Sequence, residues 1–171
     1  LLDELVEFFH PATDLDKIMM KVAFVTVMYY VSAGGKPIII VESISGRGAG
    51  KTTFANSCAF LYGEDSIEVT QGFLRGGREE IVKNLISAEG RRRRVVVVDN
   101  VVGRWGGADI AQLSTAKAFT GRRPYGKGIE SRNNDLTWFT TSNGAQFDMD
   151  FISRCIFVTL VSHKPDPFWQ A

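Results

Sequence analysis

The chain has 171 residues, with 20 Lys and Arg against 19 Asp and Glu, 44% hydrophobic and 23% charged residues. That length and balance suit one compact globular domain with a real core. They exclude a global electrostatic pull toward nucleic acid, so any such site must come from local clusters of charge.

Asp3 to Phe9 reads as a short amphipathic helix stopped by Pro11. Thr13 or Asp14 can cap a longer helix that runs to about Ser32 and ends at Gly34 and Gly35. Its most apolar part, Val22 to Ala33, spans 12 residues. That is too short to cross a bilayer, so a buried helix and no membrane partner are expected. Residues 1–36 thus form an N-terminal helical segment, ahead of a core over 37–171. The missing initiator Met is read as a sign of a domain excised from a longer chain.

Ile38 to Val41 is a continuous β-branched run, expected for a strand buried on both faces. A glycine-rich turn follows, then a helix over Thr52 to Leu61. Ser66 to Thr70 alternates as a strand does, and Arg78 to Ser87 places Ile81, Val82, Leu85 and Ile86 on one helical face. Arg91 to Arg94 precede the valine strand Val95 to Val98, where charges mark the solvent edge. Ala108 to Phe119 reads as helix, Gly121 to Asp135 as an exposed basic hairpin or loop. Leu136 to Thr141 and Ile156 to Val161 are further strands. Strands alternating with helices predict an α/β/α sandwich around a mostly parallel sheet. Cys58 and Cys155 lack metal-ligand spacing and read as buried thiols in a reducing compartment.

The segment Ser45-Gly46-Arg47-Gly48-Ala49-Gly50-Lys51-Thr52-Thr53 lies between the first buried strand and a helix. That is the context a P-loop needs. Its glycines let successive N–H groups turn inward toward phosphate oxygens, and the helix N-terminus adds partial positive charge. Lys51 would reach the β- and γ-phosphates of ATP, and the Thr52 hydroxyl would ligate Mg²⁺. Ser45 stands where the first glycine of the pattern is usual. Asp99, ending the valine strand, supplies the complementary acid, and a strand adjacent to the first would carry it close to Thr52. Asn100 follows it where many ATPases carry Glu. An amide cannot take a proton, so Asn100 either positions the water or is helped by a carboxylate elsewhere, with Glu42 one candidate.

Gly50-Lys51-Thr52, the Val95–Val98 strand ending in Asp99-Asn100, the Thr120–Lys127 block, Thr140-Thr141-Ser142-Asn143 and Arg154 occur in an order that resembles the AAA+ ATPases. Within these, the chain looks closest to superfamily 3 helicases and to replicative helicase domains of phages and mobile elements, over roughly Pro37 to Leu160. The resemblance implies an AAA+-like P-loop fold and an ATPase working as a helicase or translocase in replication of a virus, plasmid or mobile element. It implies a homo-oligomer, ring-shaped, acting on single- or double-stranded DNA or RNA. It implies a cytoplasmic location, or host cytoplasm or nucleus for a viral protein. Asn143 matches the family's sensor of the γ-phosphate, against the simpler reading of a turn asparagine in Ser-Asn-Gly. Arg154 matches the arginine finger that enters a neighbouring subunit's site, against a surface salt bridge with Asp148 or Asp150. Arg122, Arg123 and Lys127, with Arg132 and Tyr125 near them, match a basic pore hairpin that grips nucleic acid, against a solvated loop or further γ-phosphate contacts. A non-motor AAA+ switch that loads or remodels protein partners is the alternative for the whole chain.

Overall fold

The computed structural model describes residues 1–29, 35–44, 48–63, 65–70, 77–105, 108–123 and 126–161. Five strands form one parallel sheet in the order β2-β3-β7-β1-β9: β1 (Ile38–Ser43), β2 (Ile67–Thr70), β3 (Val95–Val101), β7 (Thr137–Ser142) and β9 (Cys155–Leu160). Alternate residues of these strands face opposite cores, as the twofold period of a strand requires. Ile39, Val41, Val97 and Phe139 pack on one side with Phe24 and Phe54; Ile38, Ile40, Val96 and Trp138 pack on the other with Leu85, Ile110 and Phe151. The first layer is made by α1 (Leu2–Phe8), α2 (Asp14–Met28) and α3 (Lys51–Phe60). The second is made by α4 (Arg78–Ile86), α5 (Ala108–Thr115) and the short α6 (Met149–Ile152). The result is the α/β/α sandwich of a P-loop NTPase.

The N-terminal helices are tied to the sheet at a definite point. Thr13 caps α2, accepting from the Asp16 amide and donating to the Asp16 carboxylate. The other Asp16 oxygen accepts the Thr159 amide at 2.8 Å, which fastens α2 to β9. The expectation of a buried helix past Val22 needs correction. A helix laid on a sheet buries one stripe; here Ala23, Phe24 and Val27 are buried, while Val25, Met28 and Tyr29 are more than half exposed. Ser32 and Gly34, the expected end of that helix, lie outside the described residues. Among the described residues no helix is long and apolar enough to cross a membrane.

Two further expectations change. The helix predicted to reach Phe119 stops at Thr115, and Ala118–Arg122 forms β5, antiparallel to β6 (Ile129–Asn133). Asn134 holds this end: its buried side-chain NH2 shares its two protons among the carbonyls of Leu113, Ser114 and Ala116 at 2.8–3.1 Å. Leu113 and Ser114 belong to the last turn of α5, whose carbonyls a helix leaves short of intrahelical partners, and Phe119 beyond turns into the core as a strand residue. The helix expected over Phe147 to Ser153 is also shorter. Gln146–Phe147 forms β8, which pairs with β4 (Arg104–Trp105), and only Met149–Ile152 is helical. Burial raises both thiols, Cys58 well above the usual range and half-buried Cys155 to about 12, so neither is a thiolate at neutral pH.

Candidate active site

The turn after β1 opens α3. Gly48 and Gly50 take φ values of 82° and 77°, a left-handed backbone that a side chain would strain, and Gly50 stands at the N-cap of α3. Ser45, Gly46 and Arg47, the first part of the expected phosphate loop, lie outside the described residues. The remainder, Gly48 to Thr53, lines a cleft of about 350 Å³ together with Asp99, Asn100, Thr141 and Asn143. One strand order decides this gathering. β7 lies between β1 and β3, so the expectation that β1 and the Asp99 strand are neighbours is wrong by one strand. The juxtaposition nevertheless holds, because all three strands are parallel and end on the same side.

Within the cleft the polar atoms are linked. Thr52 Oγ1 donates to Asp99 Oδ1 at 2.7 Å, and Thr141 Oγ1 donates to the same oxygen at 2.7 Å. Lys51 Nζ donates to Asn143 Oδ1 at 2.8 Å, and the Asn143 amide in turn donates to Asn100 Oδ1. Lys51 is buried, and this burial pushes its ammonium below the usual lysine range, opposed in part by the charge of Asp99. β3 bulges where it reaches the cleft: its register with β7 shifts between Val98 and Val101, and Asn100 adopts φ 58°. The bulge lets two consecutive residues, Asp99 and Asn100, both line the cleft, where regular alternation would send one to the other face.

The donor set suits a divalent cation that prefers oxygen. A threonine hydroxyl and a carboxylate stand in contact, and Asp99 Oδ2 makes no hydrogen bond among the described residues. Asp99 is the one carboxylate among the described residues lining the cleft. Glu42 is not among them; it is half-buried, with its carboxyl raised by burial and then by the nearby Asp16. A general base is therefore not supplied by the described lining, and the amides of Asn100 and Asn143 can orient a water without accepting its proton.

The remaining predicted residues lie elsewhere. Arg154 is half-exposed and pairs with Asp150 at 3.6 Å. Its carbonyl accepts the Ile38 amide, at the entry end of β1, whereas the cleft lies past the exit end. Six residues of strand, roughly 20 Å, separate the two. Arg122, Arg123 and Lys127 are exposed around the hairpin turn, with Arg123 paired to Glu130 at 3.2 Å; Pro124 and Tyr125 lie outside the described residues.

Arg132 does not belong with them. It is buried, donates to the carbonyls of Leu85, Gly90 and Arg93, and pairs with Asp135 at 2.8 Å, so it staples the hairpin to the body. Arg91 and Arg93 likewise hold neighbours, Arg91 through the carbonyls of Ile86 and Ser131, Arg93 through Asp65 and Glu89. The residue that sequence reasoning missed is Thr141. It lies two positions before Asn143 and so shares its face, but a threonine inside a buried strand carries no signal of its own.

No protein-family model and no curated protein matches the sequence. Among solved structures, the chain is similar to NtrX from Brucella abortus, determined in complex with ADP. The identity is 16%, the TM-score 0.42, and the match covers 85% of this chain and 36% of that one. The chain thus spans about a third of that protein's length. With so loose a superposition, the parallel strand order and the glycine turn opening α3 carry the assignment to the P-loop NTPase fold.

Proposed function

We propose that the protein binds and hydrolyses ATP with Mg²⁺ in the cleft beside α3, as the motor part of an oligomeric helicase or translocase acting on DNA or RNA. What supports this reading is the convergence of Lys51, Thr52, Asp99, Asn100 and Asn143 on one cleft from three separate strand ends. Lys51 would exchange Asn143 for phosphate oxygens, and the freed Asn143 and Asn100 amides would orient the attacking water. Thr52 and Asp99 would hold Mg²⁺, which supplies charge neutralisation of the phosphates when bound. The Gly48–Thr53 turn and the start of α3 would cradle the phosphates together with Ser45, Gly46 and Arg47.

Arg154 sits at the far end of its own sheet, so a catalytic part for it requires the cleft of a second copy. A closed ring of copies would provide that geometry. The exposed Arg122, Arg123 and Lys127 would pair with nucleic-acid phosphates, a contact that tolerates any sequence. The experiment is ATPase activity of Lys51→Ala and Arg154→Ala proteins, alone and mixed, with and without single-stranded DNA. Each variant should be inactive alone, and the mixture should recover turnover. A wild-type protein without ATPase activity in its oligomeric form would overturn the reading. Activity indifferent to DNA, and to reversal of charge at Lys127, would favour a protein-remodelling switch instead.

A further inference from the structure

We infer that Thr141 is a positioning residue for the metal site, acting through Asp99; the inference rests on the nucleotide reading above. The reason lies in the strand order. With β7 between them, β1 and β3 are two strand spacings apart, roughly 10 Å. The intervening strand therefore stands beside Asp99 and can help, with Thr52, to orient its carboxylate. Thr141 sits on that strand, opposite Val41 of β1, and is buried.

Its hydroxyl performs two tasks at once. It accepts the Asn100 backbone N–H at 2.7 Å and donates to Asp99 Oδ1 at 2.7 Å. From Val98 to Val101, β3 advances three residues while β7 advances two, from Thr140 to Ser142. The extra residue would leave a backbone N–H without a ladder partner, and the Thr141 oxygen takes that place. One proton is all a hydroxyl can donate, and here it is committed to Oδ1 beside the proton from Thr52. Two donors on one oxygen hold the carboxylate in a single orientation and leave Oδ2 for the cation. The same hydroxyl closes the bulge that holds Asn100 in its left-handed conformation. Thr141 thus couples the metal carboxylate to the water-orienting amide.

The neighbouring Thr140 provides an internal control. It is equally buried, yet its hydroxyl has no hydrogen-bond partner among the described residues. The test is ADP affinity of the full chain by titration calorimetry, in Mg²⁺ and in EDTA, for wild type, Thr141→Val, Thr141→Ser and Thr140→Val. Thr141→Val keeps the side chain's shape without the hydroxyl. It should lose about tenfold of the Mg²⁺-dependent tightening, the scale found for partners one shell out from a metal, with EDTA affinity within about twofold of wild type. Thr141→Ser should recover most of the loss, and Thr140→Val should match wild type.

A Thr141→Val protein that retains the full Mg²⁺ increment overturns the inference, as does equal weakening with and without Mg²⁺. Should that variant melt before binding can be measured, Thr141→Ala against Thr141→Ser gives the same comparison. Wild-type protein that binds no ADP overturns the nucleotide reading itself, whereas ADP binding with an unaffected Thr141→Val overturns the positioning role alone.

Discussion

Past the exit ends of the strands, short polar side chains hold one another: Lys51 on Asn143, Asn143 on Asn100, Thr52 and Thr141 on Asp99. At the entry ends, one buried arginine, Arg132, fastens the foot of the β5–β6 hairpin to three carbonyls and Asp135. In the first arrangement the Lys51–Asn143–Asn100 links can be rewired, because each is a single hydrogen bond of a kind a phosphate oxygen can replace. The second cannot, because removing any part strands several buried groups at once. Gly121 adds to this rigidity. A Cβ there would come within 2.9 Å of the Val82 side chain, so any larger residue would have to displace Val82 or part β5 from α4. The basic turn beyond is therefore carried on a fixed foot.

The difference can be broken at either end, beginning with the largest effect. Lys51→Ala should lower ATP turnover by on the order of 10²- to 10³-fold, the scale for removing one aligned stabilising group, in a steady-state phosphate-release assay. Its melting temperature should change little, since the cleft is not what holds the fold. Arg132→Met should do the reverse. Leaving Asp135 and buried carbonyls unpaired should cost about 3 kcal/mol of stability, read as a lowered denaturation midpoint, while ADP affinity stays near wild type. An Arg132→Met protein as stable as wild type would show that the foot is not rigid. Lys127→Glu should weaken single-stranded DNA binding about tenfold and flatten its salt dependence by one to two phosphate equivalents, measured by fluorescence anisotropy across a salt series. The smallest effect concerns the bulge. Asn100→Val should destabilise by about 1–2 kcal/mol, because a β-branched residue tolerates a positive φ poorly, whereas Asn100→Gly should leave the melting temperature within a few degrees and still lose turnover.

The element pattern was legible where burial is symmetrical. Ile38 to Val41 and Val95 to Val98 are apolar at every position because both faces of the sheet are covered, and both were found within a few residues of their ends. The end of α5 was not legible, since nothing in residues 108–119 announces that Asn134, 15 residues later, will take its last carbonyls. Arg132 was misread for the same reason: a run of basic residues near glycines looks exposed until the carbonyls around one of them are known. In the cleft, the residue pattern singled out Lys51, Thr52 and Asp99, each set at a strand end or helix start, while Asn143 was singled out only through the family resemblance; all four line one cleft. Thr141 was passed over because a threonine inside a buried strand is ordinary, and only the bulge opposite makes its hydroxyl matter.

By itself the sequence determined that there is a glycine turn between a buried strand and a helix, with a lysine and a threonine at the helix start and an aspartate ending a second buried strand. Local backbone preference and hydrophobic period are enough for that, because each depends on residues close together in the chain. Only the tertiary structure decided which strand lies between the two. That order rests on contacts between residues far apart in the chain and puts Thr141 against Asp99; other long-range contacts set β9 parallel to β1, which leaves Arg154 at the opposite end from its own cleft, and bury Arg132 in the body.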